Sequence, residues 1–349
     1  MGTERPATLH DVAREAGVSI NTASRALNNK PYVSEATRKL VLKVARELDY
    51  RPNHLARSLR QSRTSTIGVV ISDIVNPFFA EVVEGIEREA AARGYGIVLA
   101  NIGHDASREM QVVQTLVDRQ VDGVLISPSQ PDPDSIEYLI NRGVPYCLLG
   151  RVFERIPGPA VINDDRAGAR MAVEYLLSRG HRRILFLNAA AYSSQARRRL
   201  EGYIDAHRQA GLPVDPGLIL ETDARMHGGY VAMQQALTNK AGFTAVFCFN
   251  DFVSFGVVQA LRDAGLRIPD DVAVMGYDDV MVSQVVDPPL STVRIAKTRL
   301  GQTACQLLIR ILESGPQRRR KQEDKQMIDQ DTQHTPVVLP PELVIRRSA

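Results

Sequence analysis

A short run of side chains near the amino terminus carries the donors, acceptors and methyl groups needed to read base pairs. The run comprises Ile20, Asn21, Thr22, Ser24 and Arg25. In a major groove, arginine can pair with guanine, asparagine can pair with adenine, and isoleucine can contact a thymine methyl group. The alternative is an ordinary polar helix face, because helix-turn-helix patterns also arise by chance.

Three predicted helices position this run. Thr8 and Asp11 form a variant of the capping box at the start of the first helix, which Gly17 ends. Ser19 begins the second helix after a turn of about three residues, and so short a turn makes the helices cross steeply, as in a helix-turn-helix. Ser34 caps a third helix, whose predicted apolar stripe is Leu40, Val41, Val44 and Leu48.

The positive charge of the chain is concentrated around these helices. Residues 1–63 hold twelve Lys and Arg against six Asp and Glu, whereas the whole chain has a formal net charge of +3. A basic face alone is commonly just solvated, but it also attracts phosphate. Together with the helix-turn-helix pattern, the charge favours DNA binding.

Segment 53–60 forms a fourth, very short predicted helix. Pro52 stops the preceding helix and Asn53 can cap the next. An isolated helix of this length is marginal in water, so we expect disorder without DNA. Leu55, Ala56 and Leu59 make one narrow apolar stripe, although a plain linker remains the alternative.

The chain after Ser65 has the pattern of a doubly wound α/β body. Short apolar runs alternate with amphipathic segments and read as buried parallel strands. The runs are TIGVVIS, GIVLAN, DGVLIS, PYCLLG, RILFLN, TAVFCFN and VAVMGY. The span is long enough for two subdomains, and ligands of such sheets bind beyond the carboxyl ends of the strands.

Polar and aromatic residues that follow these strands are therefore candidates for ligand contact. Each has a simpler alternative, since Asn and Asp after strands often cap the next helix. The candidates are Asn76, Phe78, Phe79, Gly150, Arg151, Asn250, Asp251, Asp278 and Asp279.

Composition narrows the class of protein. The chain has 349 residues, of which 44% are hydrophobic, enough for a sizeable core. It opens MGTERPATLHD and has no apolar run long enough to cross a bilayer, so neither secretion nor membrane insertion is expected. Cys147, Cys248 and Cys305 lack the spacing of metal or redox motifs, which predicts reduced core residues in a cytoplasmic protein.

Several ordered blocks closely resemble the lac repressor (LacI/GalR) family of bacterial transcription regulators. The resemblance covers nearly the whole chain. It rests on TLHDVAREAGVSINTASRALN, VSEATRKLVLKVARELDYRPNHLARSLR, SDIVNPFFAEVVEGIE, VDGVLIS, RRLEGY, FNDFVSFGVVQAL and VMGYDDV.

The resemblance implies how DNA is bound. Paired hinge helices of a dimer would lie in the minor groove, with Leu59 wedged between base pairs. We expect DNA contacts from Thr8, Ser19, Ile20, Asn21, Thr22, Ser24, Arg25, Asn28, Tyr32, Ser34, Asn53, Ala56 and Leu59.

The resemblance also implies a periplasmic-binding-protein-like core whose two lobes enclose a small-molecule effector, a sugar or sugar derivative. No further cofactor and no metal are expected. Arg199, Asn250 and Asp278 match effector-binding positions, and Phe78 and Phe79 match the pocket wall. The expected effector contacts are Asn76, Phe78, Phe79, Arg151, Gln195, Arg199, Asn250, Asp278 and Lys297.

Two departures from the family pattern bear on the effector. Gly150 replaces an inducer-contacting Asp and is followed by Arg151, and Lys297 stands where the lac repressor has an aromatic under the sugar. If Arg151, Arg199 and Lys297 all face the cleft with Asp278, an anionic effector such as a sugar phosphate or sugar acid is favoured. The alternative is that Lys297 points to solvent and Asp278 pairs with Arg199.

The predicted organisation has three parts. Residues 6–52 are the DNA-binding head, 53–64 the hinge and 65–349 the effector-binding and dimerisation core. Within the core, the first lobe is expected at about 65–163 and 291–316, and the second at about 164–290 and 336–349. Segment 314–336 is rich in charge and Gln and is expected to be a mobile loop. No leucine-heptad tail follows it, so a homodimer is expected.

Three classes of function are compatible with parts of the chain. The leading one is a homodimeric, effector-controlled repressor of a carbohydrate-related operon that binds a near-palindromic operator. An α/β enzyme is disfavoured, since the chain shows no Walker loop, G-x-S-x-G, H-E-x-x-H or complete G-x-G-x-x-G motif. A solute receptor for transport is disfavoured by the DNA-binding head and the absence of a signal peptide.

Overall fold

The computed structural model describes residues 7–50, 63–103, 105–314 and 335–349. The chain divides into two compact units, Met1–Thr64 and Ser65–Ala349. Residues 53–62 of the expected hinge, with Asn53, Ala56 and Leu59, lie outside the described ranges, as do residues 315–334 of the charged segment. The predictions for those segments stay predictions.

The first unit is a small helical head. Its helices are α1 (Leu9–Glu15), α2 (Ile20–Leu27) and α3 (Glu35–Glu47). The predicted capping box is confirmed, because the Asp11 carboxylate accepts from the Thr8 backbone N–H at 3.0 Å and the Thr8 hydroxyl accepts from the Asp11 N–H.

The core of the head is built from small side chains. Ala13 and Ala23 are buried between the helices, which allows the close crossing that the short turn requires. The predicted stripe of α3 was wrong for Leu40, which is 46% exposed. The inward face of α3 runs through Val41, Val44 and Ala45 instead.

The second unit alternates strands and helices, as the apolar runs predicted. Its first elements are β1 (Thr66–Ile71), α4 (Pro77–Ala92), β2 (Gly96–Asn101), α5 (Ala106–Asp118), β3 (Gly123–Ile126), α6 (Asp134–Asn141), β4 (Tyr146–Leu149) and β5 (Ala160–Asn163). The chain continues through α7 (Asp165–Ser178), β6 (Ile184–Asn188), α8 (Ser194–Gln209), β7 (Ile219–Glu221), α9 (Met226–Thr238), β8 (Ala245–Cys248), α10 (Asp251–Asp263), β9 (Ala273–Asp278) and β10 (Ser291–Arg294). It ends with α11 (Lys297–Glu313), β11 (Val337–Leu339) and β12 (Glu342–Val344).

Within the described residues, the strands form two six-stranded sheets, one in each lobe. The first has the order β11-β5-β4-β3-β1-β2, and all its paired strands are parallel. The second has the order β12-β10-β9-β8-β6-β7, parallel except for the edge strand β12. Apolar clusters cover both faces of each sheet, which accounts for strands that are apolar throughout.

The strand pairing corrects the expected lobe boundaries. Residues Ser291–Arg294, which were expected in the first lobe, pair with β9 in the second sheet. Residues Val337–Leu339, which were expected in the second lobe, pair with β5 in the first. The chain therefore passes between the lobes after β5, after β10 and after β11. Which sheet the short strands near these passages join is decided by pairing with strands distant in sequence.

Glycines let the outer helices pack backbone against backbone. A Cβ on Gly85 of α4 would overlap the carbonyl oxygen of Thr298 in α11, and one on Gly301 would overlap that of Val82. Gly256 in α10 meets α9 in the same way. The helices that begin beside the cleft are thus fixed by close contact. Within the described ranges, no helix is both long and apolar enough to span a bilayer.

Candidate functional site

A cavity of about 170 Å³ lies between the two lobes of the Ser65–Ala349 unit. Loops at the carboxyl ends of both sheets surround it, which is where ligands of doubly wound sheets bind. The first lobe contributes residues that include Asp73, Ser127 and Gly150, and the second contributes residues that include Ala189 and Asp278.

Eight of the nine expected effector contacts line this cavity. They are Asn76, Phe78, Phe79, Arg151, Gln195, Arg199, Asn250 and Asp278. Gly150 also lines it, with a φ of +73° that glycine adopts without strain, and a Cβ there would come within 3.1 Å of the Gln195 amide nitrogen. The ninth residue, Lys297, does not line the cavity.

The two asparagines both cap a helix and line the cavity. The Asn76 side-chain oxygen accepts from the Phe78 N–H at 3.0 Å and begins α4. The Asn250 side-chain oxygen accepts from the Val253 N–H at 2.7 Å, and its amide donates to the Ala224 carbonyl at 3.2 Å. Capping thus fixes the orientation of both amides at the cavity wall.

Arg199 enters the cavity as half of a buried ion pair. Its Nε and Nη2 atoms lie 2.9 Å from the same Asp165 oxygen, and both side chains are only 2% exposed. The guanidinium also sits 3.6 Å from the centroid of the Tyr277 ring. Burial raises the pKa of the Asp165 carboxyl, and Arg199 opposes that rise. The expected alternative partner, Asp278, is not the one that Arg199 contacts most closely.

Asp278 and Asp279 have a strained backbone conformation, and Lys297 forms hydrogen bonds with their carbonyl groups. The φ angles of Asp278 and Asp279 are +115° and +53°, a region that costs non-glycine residues energy. The Lys297 ammonium donates to both of their carbonyl oxygens at 2.7 Å and lies 3.4 Å from a Glu81 oxygen. The prediction that Lys297 contacts the effector was wrong, because these partners satisfy a side chain that is 4% exposed.

The Asp278 carboxyl lines the cavity and has few neighbouring groups that would stabilise its negative charge. It is 5% exposed, and in the described part of the chain no side chain donates a hydrogen bond to it. Burial raises the pKa of Asp278 to about 8, with Arg199 opposing the rise and Asp251 adding to it. An uncharged carboxyl can donate as well as accept, which suits a ligand with hydroxyl groups.

Arg151 is a second buried cation at the cavity wall. It is 3% exposed and donates to the Pro128 carbonyl at 3.2 Å and to the Tyr192 carbonyl at 3.3 Å. Its guanidinium packs 4.6 Å from the Phe153 ring centroid, and its Nε is buried with no partner among the described residues. Burial lowers the pKa of Arg151.

The expected excess of cations in the cavity is therefore wrong. Lys297 is directed elsewhere and Asp165 compensates Arg199, which leaves Arg151 opposite Asp278. Two other candidates are structural: the Asp251 carboxylate accepts from Ser283 and Thr292 at 2.6 Å, and Asp279 accepts from two arginines.

Several cavity residues were missed from the sequence, among them Asp73, Phe249 and Tyr192. Asp73 and Phe249 closely follow strands, so the rule that selected Asn76 could have found them. Tyr192 lies four residues after β6 in a loop and is 46% exposed, and only the folded chain brings it to the cavity.

The head presents the expected reading face. Asn21 and Arg25 are exposed, Ile20 is 42% exposed and Tyr32 is 89% exposed, with the Arg25 guanidinium 5.7 Å from the Tyr32 ring centroid. Ser19 and Ser34 cap α2 and α3, and Thr8 caps α1. The rest of the expected set that is described, Thr22, Ser24 and Asn28, lies on or directly after α2.

Comparison with known families decides what these two units are. Residues 8–53 match the model of bacterial regulatory proteins of the lacI family, and residues 64–339 match that of periplasmic binding proteins and the sugar binding domain of the LacI family. The chain belongs to the lacI family. It is a DNA-binding transcriptional regulator with a sugar-binding effector domain, and the predicted fold class and regulatory function are confirmed.

Relatives and solved structures of the lacI family cover almost all of the chain. The ribose operon repressor of Escherichia coli (strain K12) is 38% identical over 90% of this chain and 96% of its own length. The HTH-type transcriptional repressor PurR of Photobacterium profundum is 33% identical over 98% of both chains. A lac repressor dimer bound to operator and the anti-inducer ONPF has a TM-score of 0.83 at 29% identity, and covers 99% of both chains.

A further similar structure is a complex with a sugar. The transcriptional regulator CelR in complex with cellobiose has a TM-score of 0.72 and 31% identity, with coverage of 98% of this chain and 100% of that one. Cellobiose is a disaccharide of two glucose units.

Proposed function

We propose that this chain is a homodimeric repressor whose affinity for operator DNA is set by one monosaccharide bound between its lobes. The observation that carries the proposal is the cavity. Arg199, Asn250 and Asp278 reach it from the second lobe, and Phe78 and Phe79 reach it from the first. Polar groups suit the hydroxyls of a sugar, and aromatic rings suit its C–H faces.

The size of the cavity supports a single sugar ring. A closed cavity of about 150 Å³ holds one benzene ring, and this cavity measures about 170 Å³. Four relatives are named for the ribose operon, so pentoses come first among the sugars to be tested.

The charge balance favours a neutral sugar over an anionic one. Asp165 compensates Arg199, and Asp278 remains to accept or donate toward hydroxyls. Arg151, which has no carboxylate ion pair among the described residues, is the observation in favour of a sugar phosphate or sugar acid. Such an effector would place its anionic group against Arg151.

On the DNA, α2 would lie in the major groove. Arg25, Asn21 and Ile20 would contact base edges, while Thr8, Ser19 and Ser34 would hold phosphates near the starts of their helices. A dimer would place two such helices about one helical turn apart on a near-palindromic operator. The expected minor-groove contacts of Asn53, Ala56 and Leu59 belong to the same proposal, as does a cytoplasmic location beside the chromosome.

The sugar would act by changing how the lobes close. It can shift DNA affinity only if it binds the DNA-competent and DNA-incompetent arrangements with different affinity. Tyr192, Arg151 and Arg225 already make contacts across the cleft, so closure has defined partners.

The test is a gel shift of the full chain on the DNA upstream of its own gene. It is repeated with pentoses, hexoses, their phosphates and their acids. We expect a specific shift, and one neutral monosaccharide that changes it. Arg25→Ala should abolish the specific shift, and Asp278→Asn should keep the shift but weaken the sugar response. Absence of any specific shift would refute operator binding. A response only to sugar phosphates would refute a neutral sugar as the effector.

A further inference from the structure

A second pocket adjoins the effector cavity, and Tyr192 lines both. The outer pocket has a volume of about 230 Å³ and is lined by the loops after β3 and β4 together with Tyr192 and Arg197. Among the described residues, Tyr192 is the one that lines both spaces. Tyr192 therefore lies where the two spaces meet, and Arg151 packs beside it between Tyr192 and Phe153.

Contacts from both lobes hold Tyr192 in place. The Tyr192 hydroxyl donates to the Ser129 carbonyl at 3.2 Å, across the cleft. The Tyr192 carbonyl accepts from Arg151 at 3.3 Å and from Arg197 at 3.1 Å. The Arg151 guanidinium lies 5.3 Å from the centroid of the tyrosine ring, a cation–π distance.

The outer pocket has the chemistry of a second sugar site. Asp132, Glu154, Arg155 and Arg197 supply donors and acceptors, and Phe153 supplies an apolar surface. Arg197 and Glu154 form an ion pair at 3.1 Å at its edge. Inner and outer spaces together exceed the room that one ring needs.

We propose that Tyr192 is the size-selecting residue of this regulator: it limits the effector to one sugar ring and closes off a pocket that would otherwise take a second ring. The inference rests on the proposed function of the cavity. Under this proposal, the Tyr192 side chain restricts the effector to a monosaccharide. A similar regulator is described as a complex with the disaccharide cellobiose.

The first test measures sugar binding to the full chain by isothermal titration calorimetry. The variants are the wild type, Tyr192→Ala and Tyr192→Phe, and the probes are D-ribose, D-glucose and D-galactose against cellobiose, maltose and lactose. Because Tyr192 is 46% exposed, the alanine variant should fold. We expect at least one disaccharide to bind Tyr192→Ala about tenfold or more tighter than the wild type.

The phenylalanine variant is the matched control. It keeps the ring and loses only the hydroxyl that reaches Ser129, so it should still reject disaccharides. Equal disaccharide affinity in the wild type and in Tyr192→Ala would overturn the proposal while leaving the monosaccharide site intact.

The second test does not depend on which sugar binds. Ser127 lines the inner cavity, whereas Cys147, Cys248 and Cys305 are buried. Ser127→Cys is labelled with methyl methanethiosulfonate and with a fluorescein maleimide, alone and combined with Tyr192→Ala or Tyr192→Phe. Adding Tyr192→Ala should raise the rate for the large reagent relative to the small one by about tenfold, and adding Tyr192→Phe should not. An unchanged ratio in the Tyr192→Ala variant would overturn the proposed role of Tyr192, whether or not any sugar binds. Failure of every sugar to bind the wild type would instead refute the proposed function.

Discussion

At the scale of single residues, the cavity is built on buried charges whose partners are unequal. Arg199 has Asp165 at 2.9 Å, whereas Asp278 has no hydrogen-bond donor among the described side chains. Removing one member of a buried pair leaves an uncompensated charge, but replacing a carboxyl that is already protonated does not. The two residues should therefore respond differently to substitution and to pH.

Arg199→Met should destabilise the protein strongly. It leaves the Asp165 carboxylate buried without its cation, which typically costs about 3–5 kcal/mol. Arg197→Met is the control, because Arg197 and Glu154 are 42% and 83% exposed, and a surface pair contributes under about 1 kcal/mol. Urea unfolding of the Ser65–Ala349 unit, followed within the full chain, measures both. Equal losses would show that the Arg199–Asp165 pair is not buried as described.

Asp278 should make stability fall as pH rises from about 4 to about 8. Its folded-state pKa is raised from 3.8 to about 8, so between these values the folded chain holds a proton that the unfolded chain has lost. That stabilisation is complete below pH 3.8 and is lost as pH passes 8. Asp251, with a pKa of about 6, adds to the fall below about pH 6, so the range from pH 6 to 8 reports on Asp278. One proton limits the slope to about 1.4 kcal/mol per pH unit.

Urea midpoints at several pH values test this dependence. Asp278→Asn should flatten the curve between pH 6 and 8, since an amide does not titrate there. A variant curve as steep as that of the wild type would assign the proton to another group.

The residue types at the site could be predicted from the sequence, but their directions could not. Strand-end position placed Asn250 and Asp278 at the cavity correctly. Lys297 also follows a strand closely, yet its ammonium turns to the carbonyls of Asp278 and Asp279. Those two carbonyls come within its reach on a positive-φ stretch that nothing in the sequence indicates.

At the scale of elements, close helix pairs place the starts of helices at the cleft. Phe78 and Phe79 lie in the first turn of α4, and α4 is fixed to α11 through Gly85 and Gly301. A wider separation of these helices would shift the aromatic wall of the cavity. Packing far from the ligand therefore bears on binding.

Gly85→Ala should lower stability and sugar affinity together. Its methyl group would meet the Thr298 backbone, which no rotamer change can relieve, and overpacking typically costs about 1–3 kcal/mol. Gly96→Ala is the control, since a Cβ there meets nothing within 4 Å. Thermal unfolding with and without sugar measures the change. A Gly85→Ala melting temperature equal to that of Gly96→Ala would contradict the close helix contact.

Long strands were predictable, while short ones were not. Six of the seven apolar runs became interior strands of the two sheets, where burial on both faces demands apolar residues throughout, and GIVLAN became the edge strand β2. Strands β7, β11 and β12 have three residues each, too few for a pattern. Their sheets are set by pairing across the chain, which explains the wrong lobe boundaries at β10 and β11.

At the scale of the whole molecule, one chain of the lacI family joins two functions. The helical head is the DNA-binding domain, and the two-lobed unit is the sugar-binding domain. Coupling between two sites is a free energy shared by both ligands, so each must alter the affinity of the other by the same factor. This reciprocity is a stricter demand than a change in DNA binding alone.

The decisive measurement is sugar affinity of the full chain by calorimetry, with and without saturating operator DNA from its upstream region. Operator affinity is measured in parallel, with and without saturating sugar. We predict that the two ratios agree and that each is about fivefold or larger, corresponding to a coupling of about 1 kcal/mol or more. A sugar that binds the cavity with the same affinity whether or not DNA is present would contradict control of DNA binding by this cavity.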